Sequence, residues 1–98
     1  MNDELKITLE DTGSKGRYVA RLPGVAEEAE MTFSRANEKL IIVDHTGVPD
    51  SMAGKGVGKA LAQNVIEEAR TKGFKIIPLC PFLKAQAERH PEWSDVIQ

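Results

Sequence analysis

Apolar and polar residues alternate along three stretches in the first third of the chain. This period of two is typical of strands that bury one face. It predicts strands over about 5–9, 17–22 and 28–34, with turn residues between them. The fourth stretch, 40–43, is apolar at every position and predicts a strand buried on both faces. Together the four stretches predict an antiparallel meander with the fourth strand innermost.

The hydrophobic period changes in the second half of the chain. Apolar residues recur every four positions at Val57, Leu61, Val65 and Ala69. This spacing predicts an amphipathic helix, which is expected to end at Gly73. A fifth strand is predicted over 74–80, shortened by Pro78, which lacks an amide hydrogen. Pro81 suits the first position of a second helix over 82–89, and residues 93–97 are expected to fold back on the domain.

Size and composition limit the classes of function that are expected. The 98 residues make one domain with a formal charge of −2, from 13 Lys and Arg against 15 Asp and Glu, which gives no reason to expect nucleic-acid binding. No apolar run approaches the roughly 18 residues of a membrane span, and the acidic first residues do not resemble a secretory signal. A single cysteine predicts neither a disulfide nor a zinc site, so a reducing cytoplasm and no metal are expected. Acidic residues cluster at Glu27, Glu28 and Glu30, where a solvated strand face is the simplest interpretation and attraction of a cationic ligand is the alternative.

A glycine cluster joins the fourth predicted strand to the first helix. Gly54, Gly56 and Gly58 leave backbone amides open at the positive end of a helix dipole, where a phosphate group can bind. The spacing excludes a P-loop, because only three residues separate Gly54 from Gly58 and Ala60 stands where Ser or Thr is required. It also excludes the dinucleotide fingerprint. Taken alone, the glycines equally fit a flexible turn without a ligand.

Two side chains are candidates for chemistry. Cys80 precedes Pro81 at a predicted helix start, where unpaired amides stabilise a thiolate; a small buried side chain is the alternative. His45 follows the fourth predicted strand and is a candidate base, or equally a structural histidine held by a carboxylate. His90 ends a helix and receives no chemical role.

Four motifs in order carry a family resemblance: HTGV at 45–48, GKGVGKAL at 54–61, IPLCPF at 77–82 and HPE at 90–92. Over about 40–93 the chain resembles the GNAT superfamily of acetyltransferases, in its short single-domain branch often described as YjdJ-like. The resemblance implies an α+β, GNAT-like fold for the single domain 1–98. Four antiparallel strands are followed by a helix, a fifth strand parallel to the fourth and a C-terminal helix.

The resemblance also implies a ligand, acetyl-coenzyme A (acetyl-CoA). Its pyrophosphate would lie on the glycine loop, its pantetheine arm along the fourth strand, and its thioester where the fourth and fifth strands splay near Pro78. Ala53 stands where the family usually has Arg or Gln, and Lys55 or Lys59 would compensate. The residues implied to bind coenzyme are Val43, His45, Thr46, Val48, Gly54, Lys55, Gly56, Val57, Gly58, Lys59, Ala60, Cys80 and Pro81.

The implied activity is acetyl-CoA-dependent N-acetylation of an unidentified amine by a monomer without nucleic-acid or membrane partners. The family's usual general acid is a tyrosine after the fifth strand, but the single tyrosine, Tyr18, lies in the second predicted strand and leaves Cys80 as the substitute. Either Cys80 attacks the thioester with His45 as base, or an amine attacks directly while Cys80 protonates the departing thiolate. A non-catalytic coenzyme A binding or protein-interaction module is the alternative function.

Overall fold

The computed structural model describes residues 5–98 and has five strands and two α-helices in that range. Residues 1–4, part of the acidic start that argued against a secretory signal, lie outside the described residues. The elements are β1 (Lys6–Asp11), β2 (Lys15–Arg21), β3 (Ala29–Asn37), β4 (Leu40–Gly47), α1 (Val57–Lys72), β5 (Lys75–Pro78) and α2 (Pro81–Arg89). Short 3₁₀ turns occupy Asp50–Met52 and Pro91–Asp95.

The strands form one sheet in the order β1-β2-β3-β4-β5. The first four are antiparallel and β5 is parallel to β4, so the predicted topology is confirmed. In this order β3 is the middle strand and β4 lies next to it, so the expectation that β4 is innermost was wrong. The predicted strand ends also moved, and the largest change is at β4, which runs four residues beyond the predicted 40–43.

One face of the sheet carries the core. Tyr18, Met31 and Phe33 occupy this face, and both helices contribute to the same cluster. The helical members confirm the predicted stripe and are Val57, Leu61, Ala62, Val65, Ile66, Ala69 and, from α2, Leu83. At about 25 cal/mol per Å² of apolar surface, this burial is the main stabilisation that such a small domain has.

The opposite face, called here the open face, has no helix against it in the described residues. A row of charged and polar side chains runs across it from β1 to β4, and each residue pairs with the next one on the neighbouring strand. The row consists of Glu10, Arg17, Thr32 and His45. Ile42 is only half-buried, so the expected burial of β4 on both faces is wrong at this position. The physical reason is that both helices pack on the other face.

The C-terminal segment folds back as predicted. Ile97 pairs in parallel with Ile76, and the amide of Ile76 donates to the carbonyl of Val96 at 2.8 Å. Trp93 is buried and stacks on the ring of His90 with centroids 4.2 Å apart. No helix in residues 5–98 has the length and apolar character needed to cross a bilayer.

Candidate functional site

A β-bulge shapes the C-terminal half of β4. Phe33 pairs with Val43 and Thr32 pairs with His45, so Asp44 has no partner of its own on β3. Without the bulge, alternation would place His45 on the core face beside Val43. The extra residue moves Thr46 to the core face, opposite Met31, and turns His45 to the open face.

The bulge puts two successive polar side chains on the open face. Asp44 Oδ1 accepts a hydrogen bond from Thr32 Oγ1 at 2.5 Å. His45 Nε2 lies 3.8 Å from Glu30 Oε2, and the His45 side chain is 59% exposed. The histidine therefore lies beside a carboxylate while its ring stays open to solvent.

β4 and β5 separate immediately after the bulge begins. Their last pair is Val43 with Pro78, and the Val43 carbonyl accepts from the amides of both Leu79 and Cys80, at 3.0 and 2.9 Å. Beyond this point β4 continues to Gly47 with β3 on one side, and no strand formed by residues 5–98 lies on the other. The predicted splay at Pro78 is thus present, and the backbone edge of β4 over 44–47 is available for pairing.

The loop after β4 is held against the core by one side chain. Met52 is fully buried, while its neighbours on the 3₁₀ turn are exposed. The amide of Met52 donates to the Pro49 carbonyl at 2.9 Å, and Ser51 Oγ donates to Glu27 Oε1 at 2.6 Å. Sequence analysis missed Met52; its apolar side chain in a loop of small and polar residues was the available signal.

The N-terminus of α1 has free backbone donors. Gly56 is the residue that caps it, in the left-handed region at φ 73°, with no side chain accepting from the helix amides. The first helical bond is from the Ala60 amide to the Gly56 carbonyl at 2.9 Å. In the described part of the chain, the amides of Val57, Gly58 and Lys59 donate to no acceptor. Three amides at a positive helix end are a ready anion site.

The three glycines of the cluster serve different purposes. Gly54 and Gly56 have φ of 75° and 73°, and a Cβ built on either meets nothing within 4 Å. A Cβ on Gly58 would lie 2.9 Å from Phe82 Cζ. Gly58 therefore permits close packing of α1 on α2, a role that the sequence did not indicate.

Cys80 is placed at the start of α2, as the sequence predicts, and caps it with no side-chain hydrogen bond to the helix. It is 1% exposed, and its Sγ donates to Thr46 Oγ1 at 3.1 Å. Because Thr46 and His45 point to opposite faces of β4, Cys80 and His45 lie on opposite sides of the sheet. The structure brings Cys80 to Thr46, a partner that strict alternation along β4 does not reveal.

Tyr18 lies in the core on β2, away from the gap between β4 and β5. Burial, and then the nearby Glu68 carboxylate, raise the pKa of its phenol above the ordinary value. The phenol therefore lies in the wrong place to donate a proton at the gap, and its raised pKa makes it a weaker acid. Within residues 5–98, no three His, Cys, Asp or Glu side chains come together as metal ligands would.

Two parallel strands that splay, joined by a helix with a bare N-terminus, define the class of protein. The family model of the GCN5-related N-acetyl-transferases matches residues 17–96. The chain therefore belongs to this family.

Individual proteins and solved structures are similar to this chain. A GCN5-like protein of Staphylococcus aureus, whose structure was solved by NMR, is 33% identical over 98% of this chain and 90% of its own, with a TM-score of 0.71. A GNAT family acetyltransferase of Elizabethkingia anophelis, solved with acetyl-CoA bound, is 15% identical over 78% of this chain and 65% of its own, with a TM-score of 0.63. The protein NATD1 of Xenopus tropicalis is 23% identical over 93% of this chain and 84% of its own.

Proposed function

We propose that this protein binds acetyl-CoA and transfers its acetyl group to an amine. The observation that carries the proposal is that the chain leaves the open edge of β4 and, after one short loop, begins α1 with the free amides of Val57, Gly58 and Lys59. An anion site and an unpaired strand edge together fit a ligand that has a diphosphate and an amide-containing arm. The acetyl-CoA of the Elizabethkingia protein is such a ligand, and that protein shares the fold.

The residues around the helix N-terminus fit the diphosphate. Gly54 and Gly56 leave open space in front of the amides, and the exposed Lys55 and Lys59 add positive charge. The helix dipole supplies only about 0.3 to 1 kcal/mol, against the roughly 8 kcal/mol of a micromolar complex. The lysines and the arm along β4 must therefore supply most of the affinity.

The arm is expected to pair with β4 as a short added strand. Its partners are the backbone groups of residues 44–47, since the Val43 carbonyl is already used by two amides. Val48 is one of two large apolar side chains in the described residues that stay exposed, at 39%, and it follows this edge directly. Ala60 and Pro81 lie at the starts of α1 and α2, next to the bound arm in this arrangement.

Direct transfer fits the placement of the two candidate residues better than an acyl-enzyme. Cys80 Sγ is held by Thr46 on the core side of β4, where it can donate its proton to the departing thiolate. His45 is on the open face, where it can accept a proton from the attacking amine. An acyl-enzyme route would need His45 to take the Cys80 proton from the other side of the sheet.

The binding step has a direct test. Titration with acetyl-CoA to a hundred times its Kd stabilises the folded state by about 2.7 kcal/mol, and each kcal/mol moves the melting midpoint of so small a domain by roughly 4 to 8 °C. We therefore expect a rise on the order of 10 °C, measured by differential scanning fluorimetry. A titration with no rise would remove acetyl-CoA as the ligand.

The role of Cys80 can be tested with radiolabelled acetyl-CoA. Direct transfer predicts no label on denatured wild-type protein or on Cys80→Ser, whereas an acyl-enzyme predicts label on the wild type alone. The Cys80→Ser variant should keep the acetyl-CoA melting shift, because it changes one buried atom and leaves the amides of α1 in place. Label on the wild type would contradict the direct route.

A non-catalytic coenzyme-binding module is the second candidate. It is favoured by the burial of Cys80, which is 1% exposed in this structure. Release of free coenzyme A thiol in the presence of a panel of amines separates the two functions. Binding without amine-dependent release would favour the module.

A further inference from the structure

The open face carries a recess that borders the candidate site. Its volume is about 380 Å³, and its walls include Glu10, Lys15, Arg17, Thr32, Ser34 and Asp44. Thr32 pairs with His45 across β3 and β4, so one end of the recess adjoins the proposed base. The other end reaches the β1–β2 hairpin at Thr12 and Lys15.

The two ends of the recess differ in charge. On the His45 side, the guanidinium of Arg17 pairs with Glu30 at 2.8 Å and with Glu28 at 3.3 Å, and Glu28 also pairs with Arg21 at 3.2 Å. On the other side, Arg17 pairs with Glu10 of β1 at 2.9 Å. Asp44 is a third carboxylate on the His45 side, against the two guanidinium groups, so this end is negative overall. At the hairpin end, Lys15 makes no ion pair within residues 5–98.

We propose that this recess binds the acetyl acceptor and selects a primary amine that has an anionic group at the opposite end of a short chain. The amine lies at the Asp44 and His45 end, and the anion lies at Lys15. Lys15 is on β2 and Asp44 on β4, two strand spacings apart, which is roughly 10 Å. An aliphatic chain of about six carbons suits this span.

This inference rests on the proposed function. In the reaction, the bond from the amine nitrogen to the acetyl carbon forms and the carbon–sulfur bond breaks. The ammonium group of the acceptor first loses one proton to solvent, and the neutral amine attacks. A second proton of the nitrogen passes to His45, the sulfur takes a proton from Cys80, and exchange with solvent returns His45 and Cys80 to their starting states. The negative charges beside His45 attract the protonated acceptor to the site, and Lys15 fixes which end enters.

The test compares three amines of one chain length: 6-aminohexanoate, hexylamine and 1,6-diaminohexane. We expect wild-type kcat/KM to be highest for 6-aminohexanoate, by about fivefold. This ratio corresponds to the upper end of the free energy contributed by a single exposed ion pair. Lys15→Glu should reverse the preference in favour of the diamine. The matched control is Lys39→Glu, on the β3–β4 turn, which should leave the order of the three amines unchanged.

The outcomes separate this inference from the proposed function. Equal kcat/KM for the three amines in the wild type would overturn the acceptor site. The same order of the three amines in Lys15→Glu as in the wild type would also overturn it. Backbone amide NMR shifts on adding 6-aminohexanoate give a readout without turnover: movement at 15–17, 32–34 and 44 supports the site, and no movement there overturns it. A missing melting response to acetyl-CoA would contradict the proposed function, and the NMR titration would still decide about the recess.

Discussion

Replacing Gly56 by glutamate is expected to abolish the rise in melting temperature that acetyl-CoA gives to the wild type, a loss on the order of 10 °C. A Cβ at this position meets nothing within 4 Å, so the new side chain has room beside the free amides of α1. Its carboxylate would place a negative charge where the diphosphate is proposed to bind. Scanning fluorimetry with and without acetyl-CoA measures the effect.

Gly24→Glu is the matched control for this experiment. Gly24 lies in the β2–β3 connection at φ 77° with nothing within 4 Å of its Cβ, so it shares the left-handed backbone and open surroundings of Gly56 at 73°. Both variants pay the same conformational penalty, about 1 to 2 kcal/mol for a side chain in this region. Only Gly56→Glu should lose the acetyl-CoA response; a normal response would show that the diphosphate site is elsewhere.

Met52→Ala is expected to lower the free energy of unfolding by about 2 to 5 kcal/mol, the usual cost of emptying a fully buried methionine position. The melting midpoint should fall by at least about 8 °C. Met52 is the buried anchor of the loop between β4 and α1, so the apparent Kd for acetyl-CoA should rise as well. Chemical denaturation and the acetyl-CoA titration measure the two effects.

Met52→Leu tests whether the loop needs methionine itself or only a buried apolar side chain of this size. Leucine has nearly the same volume, and such exchanges usually cost less than about 1.5 kcal/mol. The leucine variant should therefore keep the acetyl-CoA response. A Met52→Ala variant as stable as the wild type would show that the loop is held without this contact.

Much of the fold follows from hydrophobic period alone. Alternation on β3 put Ala29, Met31 and Phe33 on one face, and all three are in the core. The four-residue spacing after Val57 identified α1, and Gly73 ends it in a left-handed conformation as expected. These features were predictable because each depends on neighbouring residues along the chain.

The geometry of the site was less predictable, because it depends on a local irregularity and on contacts between distant segments. The bulge at Asp44 changes which of His45 and Thr46 faces the core, and period-two alternation assumes that no residue is inserted. The Thr46 to Cys80 hydrogen bond joins residues 34 apart in sequence. The sequence therefore identified the site residues as candidates without showing which of them meet.

The carbonyl of Val43, which already accepts two hydrogen bonds, limits how far backbone pairing along the open edge of β4 can extend. Two amides from the segment after β5 donate to it, so the ligand arm proposed to enter between the strands would have no partner deeper than Asp44. Insertion depth is then fixed by the main chain and not by a side chain. Because this limit is made of backbone atoms, it tolerates substitution of the side chains around it. In the proposed complex it would hold the thioester at the same depth whichever amine is the acceptor.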